Sequence, residues 1–145
     1  MTRDEARRRF AAARVARLAT VGPDGRPHLV PITFVVVGDI VYSAVDSKPK
    51  RTTALRRLAN VRENPRVAVL VDQYDDDWSR LWWARADGLA RVVDAADAEG
   101  RTAIDHLTRR YPRYRTQPPG GPVLAIDVDR WSGWSAALSS TGDRH

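Results

Sequence analysis

The sequence predicts a mainly β domain with helices, a small antiparallel barrel, and three observations carry that expectation. Short apolar stretches recur at irregular spacing, about six of them strand-like. Two tight turn signals, Gly22-Pro23-Asp24-Gly25 and Gly38-Asp39, join neighbouring stretches as hairpins. Only three stretches read as helices, too few and too unevenly placed for parallel βαβ units.

In chain order, Thr2 to Ala13 is expected as an amphipathic helix. Thr2 stands as its cap, Glu5 follows three residues on, and Phe10 is its main apolar anchor. Val15 to Val21 reads as a strand, and Arg26 to Val37 as its return, with Pro27 and Pro31 implying an edge, a bulge or an irregular start. Ile40 to Val45 pairs back, so the first three strands are expected as a meander. A helix opens near Thr52 or Thr53, sets Leu55, Leu58 and Val61 on one face, and stops at Asn64-Pro65. Val67 to Val71 is a near-continuous apolar strand, and Asp72 to Ser79 an acidic loop. Leu81 to Val93 is a long strand with a bend or bulge at Asp87-Gly88. Asp94 is expected to cap a helix from Ala95 to about Arg110, ended by Pro112. Tyr114 to Gly121 is a Pro/Gly-rich loop, Val123 to Trp131 the last strand, and 139–145 a flexible tail beyond a single domain spanning 1–138.

The chain has 145 residues, enough for a real core, and no cysteine, which excludes disulfides, thiolate metal sites and a cysteine nucleophile. No apolar run approaches a membrane span and the N-terminus reads as a charged helix, so a cytoplasmic protein is expected. A formal net charge of +6 points to anionic partners without choosing among nucleic acid, a membrane surface and a phosphorylated small molecule.

The stretch from Asp46 to Pro65 narrows that choice. Lys48, Lys50, Arg51, Arg56, Arg57 and Arg62 crowd a loop and the exposed side of the helix it feeds. The first amides of a helix lack intrahelical partners and the positive end of its dipole points outward, so a cationic loop at that end suits an anion. Of 24 basic residues, only Lys48 and Lys50 are lysines. Where arginine serves everywhere else, two lysines in one loop suggest that a compact ammonium is wanted, as at a phosphate. The rival reading is a solvated basic face.

Other chemistry is sparse. There is no phosphate-cradling glycine motif, and His28, His106 and His145 are scattered. Asp75, Asp76 and Asp77 lack the spacing of a calcium loop and read as solvated, so no metal site is expected. No acid–base or nucleophile set emerges, and no catalytic residue is assigned. That pattern suits binding, or hydride transfer in which a cofactor carries the chemistry. Trp78, Trp82 and Trp83 cluster before Arg85, and Trp131 and Trp134 lie near the C-terminus. Strand parity puts Trp82 and Trp83 on opposite faces, with Arg85 on the face of Trp83, looking to a ligand or a partner subunit.

The series PHLVPITF, YSAVDSKPKRTTALRRLANVRENPRVAVLVD, DDDWSRLWWARADG and DRWSGWSA resembles the split β-barrel flavin/deazaflavin oxidoreductases, relatives of pyridoxamine 5′-phosphate oxidase, and among them the PPOX-class F420-dependent branch. The resemblance implies an antiparallel six-stranded Greek-key split barrel of the FMN-binding type. It also implies a homodimer with two cofactors in clefts between subunits and a small-molecule substrate, with no nucleic acid and no membrane. By position it implies that Ser43, Ser47, Lys48 and Lys50, extended by Arg51 and Thr52, hold the cofactor phosphate. It sets His28, Pro31 and Thr33 along the ring, Trp83 and Arg85 near the cofactor, and Trp131 and Trp134 in a segment approaching the partner's site. The arginine and histidine that grip pyridoxal phosphate in the true oxidases have no clear counterpart. The extra cations favour the longer polyanionic tail of F420 over FMN, and reduction of an unsaturated small molecule is the expected activity. An FMN enzyme of the same fold, an F420 carrier without turnover and a nucleic-acid-binding barrel are the alternatives.

Overall fold

The computed structural model describes residues 1–45 and 52–138, with side chains for 1–45 and 56–137. Among them seven strands form one antiparallel sheet: β1 (Ala16–Val21), β2 (Pro27–Ile32), β3 (Val35–Val37), β4 (Ile40–Ala44), β5 (Arg66–Gln73), β6 (Trp82–Val93) and β7 (Val123–Ser135). Four helices decorate it, α1 (Arg3–Ala12), α2 (Thr52–Glu63), α3 (Ala98–Arg110) and the short α4 (Pro112–Thr116). No described helix is long and apolar enough to cross a membrane.

The strand order is β2-β1-β5-β6-β7-β4-β3, so β2 and β3 lie at opposite edges of the sheet. Yet only Thr33 and Phe34 separate them in the chain. Laid flat, seven strands would hold the edges about 29 Å apart, whereas the three peptide steps from Ile32 to Val35 reach at most ~11 Å. The sheet must therefore curl until its edges meet, and since β2 pairs only with β1 and β3 only with β4, the closing seam carries no ladder. This is a split β-barrel. The expected meander is corrected: the stretch Arg26 to Val37 is two strands, which raises the strand count from six to seven. Of the edge, bulge or irregular start that Pro27 and Pro31 implied, the structure shows the edge: both sit on the terminal strand β2, where a proline is tolerated.

The bare crossover needs its backbone satisfied by other means. The buried Phe34 donates its N–H to the Tyr111 hydroxyl at 3.1 Å, and its carbonyl lies 2.9 Å from the same oxygen. Three residues on, the Tyr114 hydroxyl shares a 2.8 Å hydrogen bond with Thr33 Oγ1, and Ser43 Oγ donates to the Thr33 carbonyl at 2.7 Å.

The helix ends obey their sequence signals unevenly. Thr2 caps α1 by accepting from Glu5 N–H at 3.1 Å, and Phe10 reaches the interior between Phe34 and Trp131, ring centroids 5.1 and 5.2 Å away. Leu58 and Val61 of α2 join Leu18, Val69, Val71 and Ile126 in the same core. The helix placed after Asp94 begins later than expected, at Ala98, because the Asp94 carboxylate closes a turn on Ala96 N–H instead. Its buried Ala103 packs with Tyr42, Val123 and Ala125 outside the barrel. The bulge at Asp87/Gly88 is where it was expected: a Cβ built on Gly88 would stand 2.2 Å from the Asp127 carbonyl oxygen. The last strand runs on to Ser135, and the first part of the expected Pro/Gly-rich loop is α4. The tail 139–145 lies outside the described residues.

Replacing Tyr111 with phenylalanine leaves the buried Phe34 amide unpaired. The expected loss is about 1–3 kcal/mol of unfolding free energy, read from urea melts; a loss within error of zero would show that the crossover does not need this hydroxyl.

Candidate functional site

Where the barrel fails to close, it leaves a cavity of about 300 Å³. Its walls are the end of β2 and the crossover (Pro31, Ile32, Thr33), the end of β4 (Ser43, Ala44), Arg57 of α2, and the segment from Arg113 to Gly120. That volume is at the lower end for a small-molecule site. In the sequence, β4 and α2, two of the walls, come just before and just after residues 46–51.

The electrostatics of the cavity centre on Arg57. Its Nε is enclosed and has no hydrogen-bond partner among the described residues. Burial pulls the guanidinium below the ordinary arginine range, an effect that Tyr114 partly opposes. A desolvated cation is costly unless it meets an anion or an acceptor, so the arrangement suits an oxyanion in the cavity. Arg113 adds a second guanidinium at the rim, while the hydroxyls of Thr33 and Tyr114 supply neutral hydrogen-bonding groups.

The expected site residues divide between places. Pro31, Thr33 and Ser43 meet in the cavity. Ser43 is almost fully buried and spends its hydroxyl on the Thr33 carbonyl, so it positions the crossover. His28 is three positions before Pro31 on β2 but lies in a neighbouring cavity with Arg56 and Asn60. Ser47, Lys48, Lys50 and Arg51 lie outside the described residues, and Thr52 is described only as the first residue of α2.

Trp83, Arg85 and Trp134 form a separate group on the outer face of β6 and β7. The Arg85 guanidinium lies 5.5 Å from the Trp83 ring centroid and donates to Asp87 at 3.0 Å, and Trp134 is the cross-strand partner of Trp83. The opposite-face reading of Trp82 holds, since Trp82 packs against the core with Arg9 over its ring. Two strands, β1 and β5, separate this group from β2, about 14 Å of sheet.

Trp131 stands apart from this group. It is 4% exposed, lies against Phe10, and donates its indole N–H to Asp39 at 2.9 Å, so it belongs to the core. Its parity in β7 is opposite to that of Trp134, which turns it inward. Sequence reasoning counted Arg57 only among many cations and passed over Arg113, Tyr114 and Gly120. Pro112 at the first helical position marks a turn of helix that holds Tyr114, a legible signal; its contact with Thr33, 81 residues away, has none.

A family model described as pyridoxamine 5′-phosphate oxidase matches residues 2–135. The chain belongs to the pyridoxamine 5′-phosphate oxidase family. The chain is 32% identical over 101 residues to the 5a,11a-dehydrotetracycline/5a,11a-dehydrooxytetracycline reductase of Streptomyces rimosus, covering 67% of this chain and 68% of that protein. Among solved structures, a conserved hypothetical protein from Mycobacterium tuberculosis superposes with a TM-score of 0.75 at 22% identity, over 100% of this chain and 90% of the other. A FAD-binding protein from Mesorhizobium loti gives 0.72 at 22%, over 92% of each chain. The haem storage protein HutZ from Vibrio cholerae gives 0.70 at 16%, over 93% and 95%. At such identities these three share the fold alone, and the pair of FAD and haem ligands shows that the fold does not choose the cofactor.

His28 supplies a pH dependence. Burial, then the charges of Arg56 and Arg57, hold its imidazole below the ordinary 6.5. Between the lowered folded value and 6.5 the unfolded chain binds more protons, so stability falls as pH drops through that window and is unaffected above it. His28→Gln is expected to flatten the acid limb of a stability–pH curve between pH 6.5 and the folded midpoint; an unchanged limb would show that other groups set it.

Proposed function

We propose that the protein is an F420-dependent reductase, passing hydride to an unsaturated small molecule at a site completed by a second copy of the chain. One observation carries this reading: the seam cavity ends at a half-buried arginine, Arg57, whose Nε is enclosed and unpartnered among the described residues. Such a wall fits a phosphorylated redox cofactor. When bound, the deazaflavin supplies the hydride from its C5.

This chain's own residues do the rest. Arg57 and Arg113, with Lys48, Lys50 and Arg51, anchor the phosphate. Pro31 and Thr33 present the unpaired edge of β2 to the ring, and Tyr114 and Ser43 hold that edge in place. The reductase activity of the Streptomyces rimosus relative supports the reductive direction.

The division of the site and an exposed apolar face support a dimer. Among the described residues, α3 covers β3, β4 and the start of β7, while α1 and α2 meet β1, β6 and β7 from the core side, which leaves the outer face of β1, β2, β5 and β6 without a helix. Leu29 is 67% exposed there, and Leu70, Trp83 and Trp134 share the face. A second copy on this face buries the apolar side chains and brings Trp83, Arg85 and Trp134 to the partner's seam. The second reading, an FMN or FAD enzyme, is favoured by the family and by the Mesorhizobium loti structure.

Titrating F420 and FMN against the protein separates the two, because a purified protein carrying stoichiometric yellow flavin would sink the F420 preference. Lys48→Ala and Lys50→Ala are each expected to weaken F420 binding about tenfold or more, the loss of one charge-assisted contact at ~1.5–3 kcal/mol. Unchanged affinity in both would refute the loop assignment. Leu29→Arg is expected to shift the sedimentation coefficient to that of a monomer with little loss of fold stability; a dimer that persists would remove this face from the interface.

A further inference from the structure

The helix that presents Arg57 to the seam cavity has a second cavity on its other flank. Of about 380 Å³, it is bounded by the β1–β2 turn and by α2, with Arg26, His28, Arg56 and Asn60 in its walls. Arg56 and Asn60 are one helical turn apart and share a face, while Arg57 points about 100° around the helix. The two cavities thus stand on either side of one turn of α2. They also lie along one extended stretch: His28 on β2 and Thr33 just past its end are five residues apart, about 17 Å at the rise of an extended chain.

The second cavity is built for an anion. Two guanidinium groups, an imidazole and a side-chain amide face it, against the single carboxylate of Asp24. That carboxylate is already engaged by the turn, accepting from Arg26 N–H at 3.0 Å and standing 3.9 Å from Arg26 Nε. Asn60 is 5% exposed and oriented by its amide, which donates to the buried Thr20 hydroxyl at 3.0 Å. Arg56 has no ion pair with a described acidic residue. His28 Nδ1 is enclosed and has no hydrogen-bond partner among the described residues. Leaving a buried polar atom unpaired is unfavourable, and a ligand in this cavity would complete it.

We infer that this cavity is a carboxylate subsite, in which Arg26, Arg56 and His28 receive the acidic tail of a cofactor whose phosphate rests on Arg57. The inference deepens the F420 reading and rests on it. FMN ends at its phosphate and cannot reach across α2, so the subsite is what distinguishes the tailed deazaflavin from the flavin. Cofactor choice is then made away from the ring, in a region that contributes nothing to hydride transfer.

The test compares F420 with FMN, each titrated by fluorescence against the wild-type chain and the double variant Arg26→Gln, Arg56→Gln, with circular dichroism as the check on folding. Both arginines are exposed, so the variant is expected to fold. F420 affinity is expected to fall at least tenfold while FMN affinity stays unchanged. Equal weakening of both ligands, or no weakening of F420, overturns the subsite. In the wild type, F420 and not inorganic phosphate is expected to shift the His28 imidazole resonances; an equal shift with phosphate marks a general anion site and also overturns it. Should the wild type bind no F420, the cofactor reading fails by itself. The cavity is then probed with γ-glutamylglutamate, whose perturbation of the His28 resonances sustains the carboxylate site and whose silence ends it.

Discussion

Two residues carry the chain from one edge of the sheet to the other, and the rest of the architecture answers to that constraint. Because Thr33 and Phe34 must join strands at opposite ends of a seven-stranded order, the sheet curls. Because β2 pairs only with β1 and β3 only with β4, the two edges brought together share no ladder, and the seam stays open. The core of Phe10, Phe34 and Trp131 then fills the interior, and the backbone left bare at the crossover is bonded by Tyr111 instead of by a neighbouring strand. A hydrogen-bonded barrel would have no cavity at this place.

The seam also explains where the charge goes. An arginine facing bulk water needs no partner, and most of the described arginines are of that kind or lie in exposed ion pairs worth little. Arg57 differs because the curl of the sheet and the segment after α3 enclose part of its side chain. Removing water from one guanidinium turns an ordinary basic helix into a surface with a preferred location for an anion. The cluster of Arg91 with Glu99 and Asp127 makes the contrast, since there the carboxylates are already supplied, at 2.6–3.0 Å, and the cluster ties α3 to the sheet.

The tryptophans show how the same residue type is put to different uses by parity. Trp131 and Trp134 are three apart on one strand, and the alternation of strand faces sends the first into the core and the second to the outer face. Trp82 and Trp83 divide in the same way, and that division was legible beforehand because it depends on nothing but counting along a strand. The fate of Trp131 was not, since the resemblance pointed to a segment and not to a face.

By itself the chain determined whatever neighbours in sequence decide: the Thr2 cap, the Gly22–Gly25 hairpin turn, the bulge at Gly88 and the concentration of cations around α2. These follow from backbone sterics and orphan amides, which act over three or four residues. Only the tertiary structure decided that β2 and β3 stand at opposite edges, that Thr33 meets Tyr114, and that Arg57 and Arg56 look into different cavities. Those outcomes depend on which strand edges meet when the sheet closes, a condition on the whole molecule that no short stretch of residues encodes.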